Sequence, residues 1–307
     1  MRKNDNLEKA KKEKNDEFYT QMIDIEKELS YYINHFRDKI IYCNCDDYQY
    51  SNFVKYFVDH FQELGIKKII ATCYKENEQG LYFQYDGTTP EIKKLNDNGD
   101  FRSEECCHIL ENCDIVVTNP PFSLFKEYIQ LLIKYNKQFL IIGNQNAITY
   151  RDIFLLIKNN KLWLGITMDA SNRWFQVPSN YMVNEKAINY KEENGKKYFF
   201  VSGVVWFTNM EHNIRNSCMT LQSIYQPDLY PKYDNTDIIE VSRTKKIPMD
   251  YAGVMGVPIT FLHKYNPNQF EIIGLVNSSR WIGDIPCFTI INGKNIYHRF
   301  LIKNKQL

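Results

Sequence analysis

Along the chain the apolar residues change their spacing several times, and each change marks an element. Residues 1–16 are polar and charged and predict a frayed helix. Asp16-Glu17-Phe18-Tyr19-Thr20 breaks that stretch, and from Gln21 to Phe36 the residues Met22, Ile25, Leu29, Tyr32, Ile33 and Phe36 recur at helical spacing. Lys39-Ile40-Ile41-Tyr42-Cys43 reads as a short buried strand, Asn44 to Ser51 as a polar loop, and Asn52 to Leu64 as a helix stopped by Gly65. Lys68-Ile69-Ile70-Ala71-Thr72-Cys73 supplies the next strand. Strand, helix, strand at this spacing predicts a βαβ unit with a parallel sheet.

Asp97-Asn98-Gly99-Asp100-Phe101 is a loop of turn residues. Asp114-Ile115-Val116-Val117-Thr118 predicts a buried strand, followed by a helix to about Tyr135 and the strand Phe139-Leu140-Ile141-Ile142-Gly143. Ile153 to Ile157 reads as helical and Leu162-Trp163-Leu164 as extended. From Thr167 the rhythm changes, with Trp174, Phe175, Pro178 and Tyr181 among polar residues; Tyr198–Val201 and Val204–Phe207 then predict late strands. Pro227, Pro231, Pro248, Pro258, Pro267 and Pro286 punctuate the remainder, which is expected to be irregular. The predicted fold is α/β: a doubly wound, mostly parallel, Rossmann-like sheet over residues 1–207, with an irregular accessory region over 208–307.

With 307 residues, 44% hydrophobic and 24% charged, the chain has the composition of a globular protein with a sizeable core. No segment approaches eighteen uninterrupted apolar residues, and Met1-Arg2-Lys3-Asn4-Asp5 leads into charge rather than an apolar stretch. A cytoplasmic protein with no membrane span is therefore expected. The eight cysteines are scattered, and Cys43-x-Cys45 and Cys106-Cys107 lack zinc-site spacing, so reduced thiols and no metal are expected. Residues 1–160 carry 21 basic and 25 acidic side chains, and residues 161–307 carry 17 and 12. The C-terminal part is thus the mildly basic one, where phosphate contacts would fall.

Asn119-Pro120-Pro121-Phe122 sits between the Asp114–Thr118 strand and a helix start. The exocyclic amine of adenine is a poor nucleophile because its lone pair is delocalised into the ring. Asn119's side-chain oxygen and a main-chain carbonyl near Pro120 can accept its two N–H protons and localise that lone pair toward a methyl donor. Phe122 offers a face for an extruded base, and the prolines stiffen the corner. The alternative is a stiff turn with no chemistry, which Asn and Pro also favour. The strand before and the helix after weigh toward a site, because open α/β sheets bind ligands at the carboxyl ends of their strands.

A cofactor with a ribose and an adenine would lie over the first strands' carboxyl ends. Cys43-Asn44-Cys45-Asp46 ends the first strand there. Asp100 could accept a hydrogen bond from the cofactor's adenine amine, Phe101 could pack against its ring, and Phe18-Tyr19-Thr20 could close the pocket. Each has a structural alternative: Asp46 as a cap for the next helix, Asp100 as part of the Asn98-Gly99 turn, Thr20 as the N-cap of the first helix. Glu76, after the second strand, is a weaker candidate for a ribose, and Asn144 and Asn146 for the base pocket or a turn. Arg173-Trp174-Phe175 could insert into DNA or form core, and Arg243, Lys245 and Lys246 could meet phosphates or only water.

Lys14-Asn15-Asp16-Glu17-Phe18-Tyr19-Thr20, Tyr42-Cys43-Asn44-Cys45-Asp46-Asp47, Asn119-Pro120-Pro121-Phe122-Ser123-Leu124-Phe125 and Gly143-Asn144-Gln145-Asn146-Ala147-Ile148-Thr149 together resemble the EcoRI-type adenine-specific DNA methyltransferases, from about Lys11 to Phe207 and more weakly beyond. The resemblance implies an S-adenosyl-L-methionine-dependent enzyme that methylates N6 of adenine in double-stranded DNA, with a target-recognition region after the catalytic part. It carries over Asn119, Pro120, Pro121 and Phe122 as the target-adenine site, and Tyr19, Thr20, Cys43, Asn44, Cys45, Asp46, Asp100 and Phe101 as the cofactor's surroundings. The chain departs from the pattern in one place: Asn44 to Ser51 contains no glycine, and Tyr48 stands where a proline is expected. A monomer is expected, with a cognate restriction endonuclease acting separately as a candidate partner. The same fold acting on RNA, a protein glutamine amide or cytosine N4 is the alternative, and a non-catalytic DNA-binding partner a more distant one. A nuclease would need a carboxylate–lysine cluster around Mg²⁺, which does not stand out.

Overall fold

The protein is described by a computed structural model covering residues 20–167, 173–177 and 190–307. Helix α1 (Met22–Leu29) turns Ile25 and Leu29 inward and is followed by a single turn, α2 (Ile33–Phe36). Strand β1 (Ile40–Cys43) is buried from Ile41 onward. The Ser51 hydroxyl accepts from the Phe53 and Val54 amides and starts α3 (Asn52–Asp59), a cap of about 1 kcal/mol. The sequence predicts one helix to Leu64; instead His60 interrupts it at φ −104°, ψ 14°, and α4 (Phe61–Leu64) closes on Gly65 at φ 62°.

Strand β2 (Lys68–Cys73) runs parallel to β1, pairing Ile69 with Ile41. The hairpin β3 (Leu81–Tyr85) and β4 (Glu91–Lys94) adds antiparallel strands outside β2. The wholly exposed Glu-Ile-Lys-Lys of β4 has no alternation to announce a strand, and its charges suit a sheet edge. Helix α5 (Glu104–Glu111), capped by Ser103, leads to β5 (Ile115–Thr118), which is buried throughout. Helix α6 (Phe125–Lys134) then leads to β6 (Gln138–Asn144).

Strands β7 (Arg173–Val177), β8 (Tyr190–Glu193) and β9 (Lys196–Val201) form a separate antiparallel sheet in the order β7-β9-β8. Strand β10 (Val204–Thr208) returns antiparallel to β6. Over residues 40–147 and 204–208 the main sheet therefore runs β4-β3-β2-β1-β5-β6-β10, parallel at its centre and antiparallel toward both sides. On one face Ile41, Ile69, Val117, Leu140 and Trp206 pack with Ile25, Leu29, Phe53 and Phe57 of α1 and α3. On the other, Phe207 meets Phe125 of α6 at 4.9 Å. Burial on two faces explains why the central strands read as unbroken apolar runs.

The chain divides into two units: Met1–Ala147 with Gly165–Met210, and Ile148–Leu164 with Glu211–Leu307. In the second, α7 (Arg151–Lys158) buries Ile153, Phe154 and Ile157. Where the prolines predict irregular chain, a five-stranded sheet forms from β11 (Ile239–Glu240), β12 (Met255–Pro258), β13 (Phe270–Val276), β14 (Trp281–Gly283) and β15 (Arg299–Asn304), in the order β11-β12-β15-β13-β14. Several of these strands are very short, and the last is inserted between β12 and β13, a long-range pairing that no local spacing reveals. Glu240, nearly buried, is held there by Arg299 at 2.7 Å and by the Tyr233 hydroxyl. Among the described residues no helix is long and apolar enough to cross a membrane.

Candidate active site

Strands β1 and β5 are neighbours, with Tyr42 opposite Val116. Their carboxyl ends, Cys43-Asn44 and Thr118-Asn119, therefore emerge side by side. The loop after β1 folds back over β2, where the Asp46 amide donates to Thr72 O at 3.0 Å. Asp46 is buried, and its carboxylate takes a hydroxyl on each oxygen: Ser51 Oγ on Oδ1 at 2.6 Å and Thr118 Oγ1 on Oδ2 at 2.5 Å. Ser51, not Asp46, caps α3; Asp46 orients the cap and reaches across to the residue before Asn119. Asp47 accepts the Gln49 amide at 3.0 Å and pairs with Lys75 at 2.7 Å. Tyr48, in the position where a proline is expected, stacks on Phe83 at 5.2 Å.

Asn44 is buried, and its Oδ1 accepts the hydroxyl of Tyr128 from α6. Tyr128 also meets Phe101 edge-on at 5.0 Å. Burial pushes the Tyr128 hydroxyl well up, so it stays a donor. Burial, then the charge of Asp46, pushes the Cys43 thiol well up. Cys43 is thus a neutral packing residue and no nucleophile.

The Asn119-Pro120-Pro121-Phe122 corner turns at Pro121 (φ −55°, ψ 123°), and the Leu124 amide closes on Pro121 O at 3.0 Å. Pro120 is buried, and Phe122 is half-buried against the main core. Immediately afterward Phe125 lies over Gly143, where an added Cβ would come within 2.4 Å of its ring. That close approach pins the start of α6 to β6 just behind the corner.

The loop between β4 and α5, which lies against the end of β2, is equally tight. Gly99 has φ +78° and an added Cβ would lie 2.3 Å from Cys73 O, so only glycine fits. Asp100 holds Arg102 through Nε at 2.9 Å and Nη2 at 2.6 Å, and also accepts the Arg102 amide. Its carboxylate is engaged, while Phe101 beside it is buried. Thr20 is buried and its carbonyl accepts Asn52 Nδ2 at 2.7 Å; Gln21, not Thr20, occupies the N-cap position of α1.

Thr20, Cys43, Asn44, Cys45, Asp46, Asp100, Phe101 and Asn119 to Phe122 all belong to the first unit, around the carboxyl ends of β1, β2 and β5 or at the start of α1. Tyr19 lies outside the described residues. Asn144 binds Ser202 O and the Asn146 amide and so shapes a turn. On β7, Phe175 is buried, while Trp174 packs on Phe200 at 5.0 Å under Lys191 Nζ at 5.1 Å. Arg173 pairs through its backbone with Val201. Arg243, Lys245 and Lys246 are exposed in the second unit, the two lysines within the 3₁₀ turn Thr244–Lys246. Sequence reasoning missed Gln21, Ser51, Thr118 and Tyr128. Only Ser51, a hydroxyl just before an apolar helix, carried a local signal.

Among the described residues no group of His, Cys, Asp or Glu could hold a metal ion. Three buried polar atoms at this end of the sheet meet no protein partner: Thr20 Oγ1, Gln21 Nε2 and Asn44 Nδ2. Unmet buried polar groups call for an explanation. A polar ligand with acceptors, flanked by the apolar Phe101, fits this set, and S-adenosylmethionine has that chemistry.

Residues 6–305 match the family described as adenine-specific methyltransferase EcoRI. The chain is 48% identical to the Type II methyltransferase M.EcoRI of Escherichia coli, over 98% of this chain and 97% of that protein. It is 40% identical to a Type II methyltransferase of Mycoplasma genitalium and 39% identical to M.MpnI of Mycoplasma pneumoniae, each over 97% of this chain and 98% of the relative. No solved structure matches the chain significantly.

Proposed function

The chain belongs to the adenine-specific methyltransferase EcoRI family and is a DNA adenine methyltransferase of the restriction–modification type, and on that premise we propose how its residues carry the reaction. The methyl donor is S-adenosylmethionine and the acceptor is N6 of an adenine turned out of duplex DNA. The observation that carries the reading is the Asn119–Phe122 corner: a proline-stiffened turn at the end of a buried central strand, tied through Thr118 and Asp46 to the loop after β1.

Bound here, S-adenosylmethionine supplies an electrophilic methyl on a sulfonium. The protein's part is positioning. Asn119 Oδ1 and the Pro120 carbonyl accept the two N–H protons of the amine, which concentrates its lone pair. Phe122 stacks on the base. Pro120 and Pro121 bring no N–H to compete and hold φ fixed. No enzyme nucleophile is needed, in keeping with a neutral Cys43. Holding the two reactants in line lowers the entropic part of the barrier, which reaches about 7–11 kcal/mol in the best-oriented systems.

Thr20, Cys43, Asn44, Cys45, Asp46, Asp100 and Phe101 surround the cofactor, Asp46 and Asp100 mainly by fixing neighbouring groups. Residues 1–207 are the catalytic part and 208–307 the target-recognition part. Trp174 with Arg173, and Arg243, Lys245 and Lys246, contact the duplex, the basic residues at phosphates. The enzyme works as a monomer beside a separate endonuclease. The test is Asn119→Ala: methyl transfer to DNA is lost, while calorimetry still finds cofactor binding within about threefold of wild type. Intact turnover would remove Asn119 from the mechanism.

A further inference from the structure

The loop after β1 uses much of its own backbone to hold itself. The Asp46 amide goes to Thr72 O, the Gln49 amide to Asp47 Oδ1, and the Tyr50 and Ser51 amides to Asp47 O. The first amides of α3, those of Phe53 and Val54, go to Ser51 Oγ. No glycine stands between Asn44 and Ser51, so every residue of the loop carries a side chain. An anionic group arriving at the end of β1 is therefore met chiefly by side chains.

The donors present are specific. Asn44 Nδ2 and Gln21 Nε2 are buried and meet no acceptor, and Thr20 Oγ1, next to Gln21 in sequence, is buried without a hydrogen-bond partner. Asn44 and Thr20 are each 2% exposed. They come from two segments joined by the hydrogen bond from Asn52, at the start of α3, to Thr20 O at 2.7 Å. An amide nitrogen can only donate, and leaving one buried and unmet forfeits the hydrogen bond it makes to water in the unfolded chain. A carboxylate oxygen is the acceptor that offsets this best, because a charge-assisted hydrogen bond is about twice as strong as a neutral one.

We propose that Gln21, together with Asn44, donates to the α-carboxylate of the methyl donor's amino-acid end, so that the site selects ligands bearing that carboxylate. This rests on the assignment of S-adenosylmethionine to the site. The ring end of the donor is served by Phe101, in the loop before α5 that packs on the end of β2, and the acceptor amine by Asn119 at the end of β5. The two amides stand at neither place but at the end of β1 and the start of α1. Gln21 makes no side-chain capping bond, so its change leaves the helix intact.

The test is titration calorimetry of the full chain with S-adenosylhomocysteine and with its decarboxylated analogue. Wild type binds the carboxylate-bearing ligand more tightly. In Gln21→Met that preference shrinks about tenfold, while affinity for the decarboxylated analogue is unchanged. In Gln21→Glu, which sets like charge against the carboxylate, it shrinks further. A preference equal in wild type and both variants, or an equal loss of both ligands in Gln21→Met, would overturn the proposal. Wild type binding both ligands without preference overturns it as well, and leaves the cofactor assignment standing. Binding of neither ligand removes that assignment, and this inference with it.

Discussion

Thr118 donates its hydroxyl to Asp46 at 2.5 Å, although 72 residues separate them in sequence. The bond joins the last residue of β5, which precedes Asn119, to the loop after β1, so the two segments share one buried carboxylate. Thr118→Val removes it while keeping the shape. kcat is expected to fall about tenfold to a hundredfold, as misplacement by about 1 Å does, with cofactor Kd nearly unchanged. Thr118→Ser restores the hydroxyl and most of the rate. Single-turnover methylation and calorimetry on the same proteins make the comparison.

Ser51→Ala removes both the cap of α3 and the other donor to Asp46. Loss of the cap alone costs about 0.5–2 kcal/mol. Denaturant unfolding is expected to show that loss, and cofactor affinity to fall with it. Unchanged stability would mean that the Ser51 bonds contribute nothing net.

Gly99→Ala places a methyl against Cys73 O at a backbone angle suited to glycine. The expected cost is about 2 kcal/mol or more, together with weakened cofactor binding, because Phe101 moves with the turn. Gly195→Ala also meets positive φ, +72°, but open space, and is expected to leave cofactor binding intact.

His212 carries a pH prediction. Its Nδ1 accepts the Arg215 amide at 3.2 Å, and its Nε2 faces Leu164 O at 3.2 Å, so the ring is neutral with the proton on Nε2. Burial, the largest cause, lowers its pKa below the ordinary 6.5. The unfolded chain then binds the proton more readily than the folded one. Stability present above 6.5 is lost as pH falls through the folded value. In His212→Gln the acid side of the stability–pH curve should flatten in that window.

The parts of the fold visible in the sequence are those where one segment decides its own state. Ile115-Val116-Val117-Thr118 is apolar because both faces of β5 are covered, and the Asn-Pro-Pro-Phe corner is a local motif. β4 is exposed along its length and showed nothing. The Asn194-Gly195 turn between β8 and β9, with φ of +52° and +72°, is a hairpin signal that the sequence does carry. The sheet of the second unit depends on β15 pairing with both β12 and β13, which no window of sequence contains. Within the site, Tyr128 meets Asn44 across 84 residues. Such contacts are products of the fold, so the sequence could nominate Asn44 but not its partner.

The decisive measurement is methyl transfer itself. Wild type and Asn119→Ala are each incubated with S-adenosylmethionine and unmethylated genomic DNA, and modified bases are mapped by single-molecule sequencing. N6-methyladenine at one short sequence with wild type, and none with Asn119→Ala at retained cofactor affinity, is the expected result. Methylation by Asn119→Ala at the wild-type rate would contradict the assignment of the amine to the Asn119–Phe122 corner.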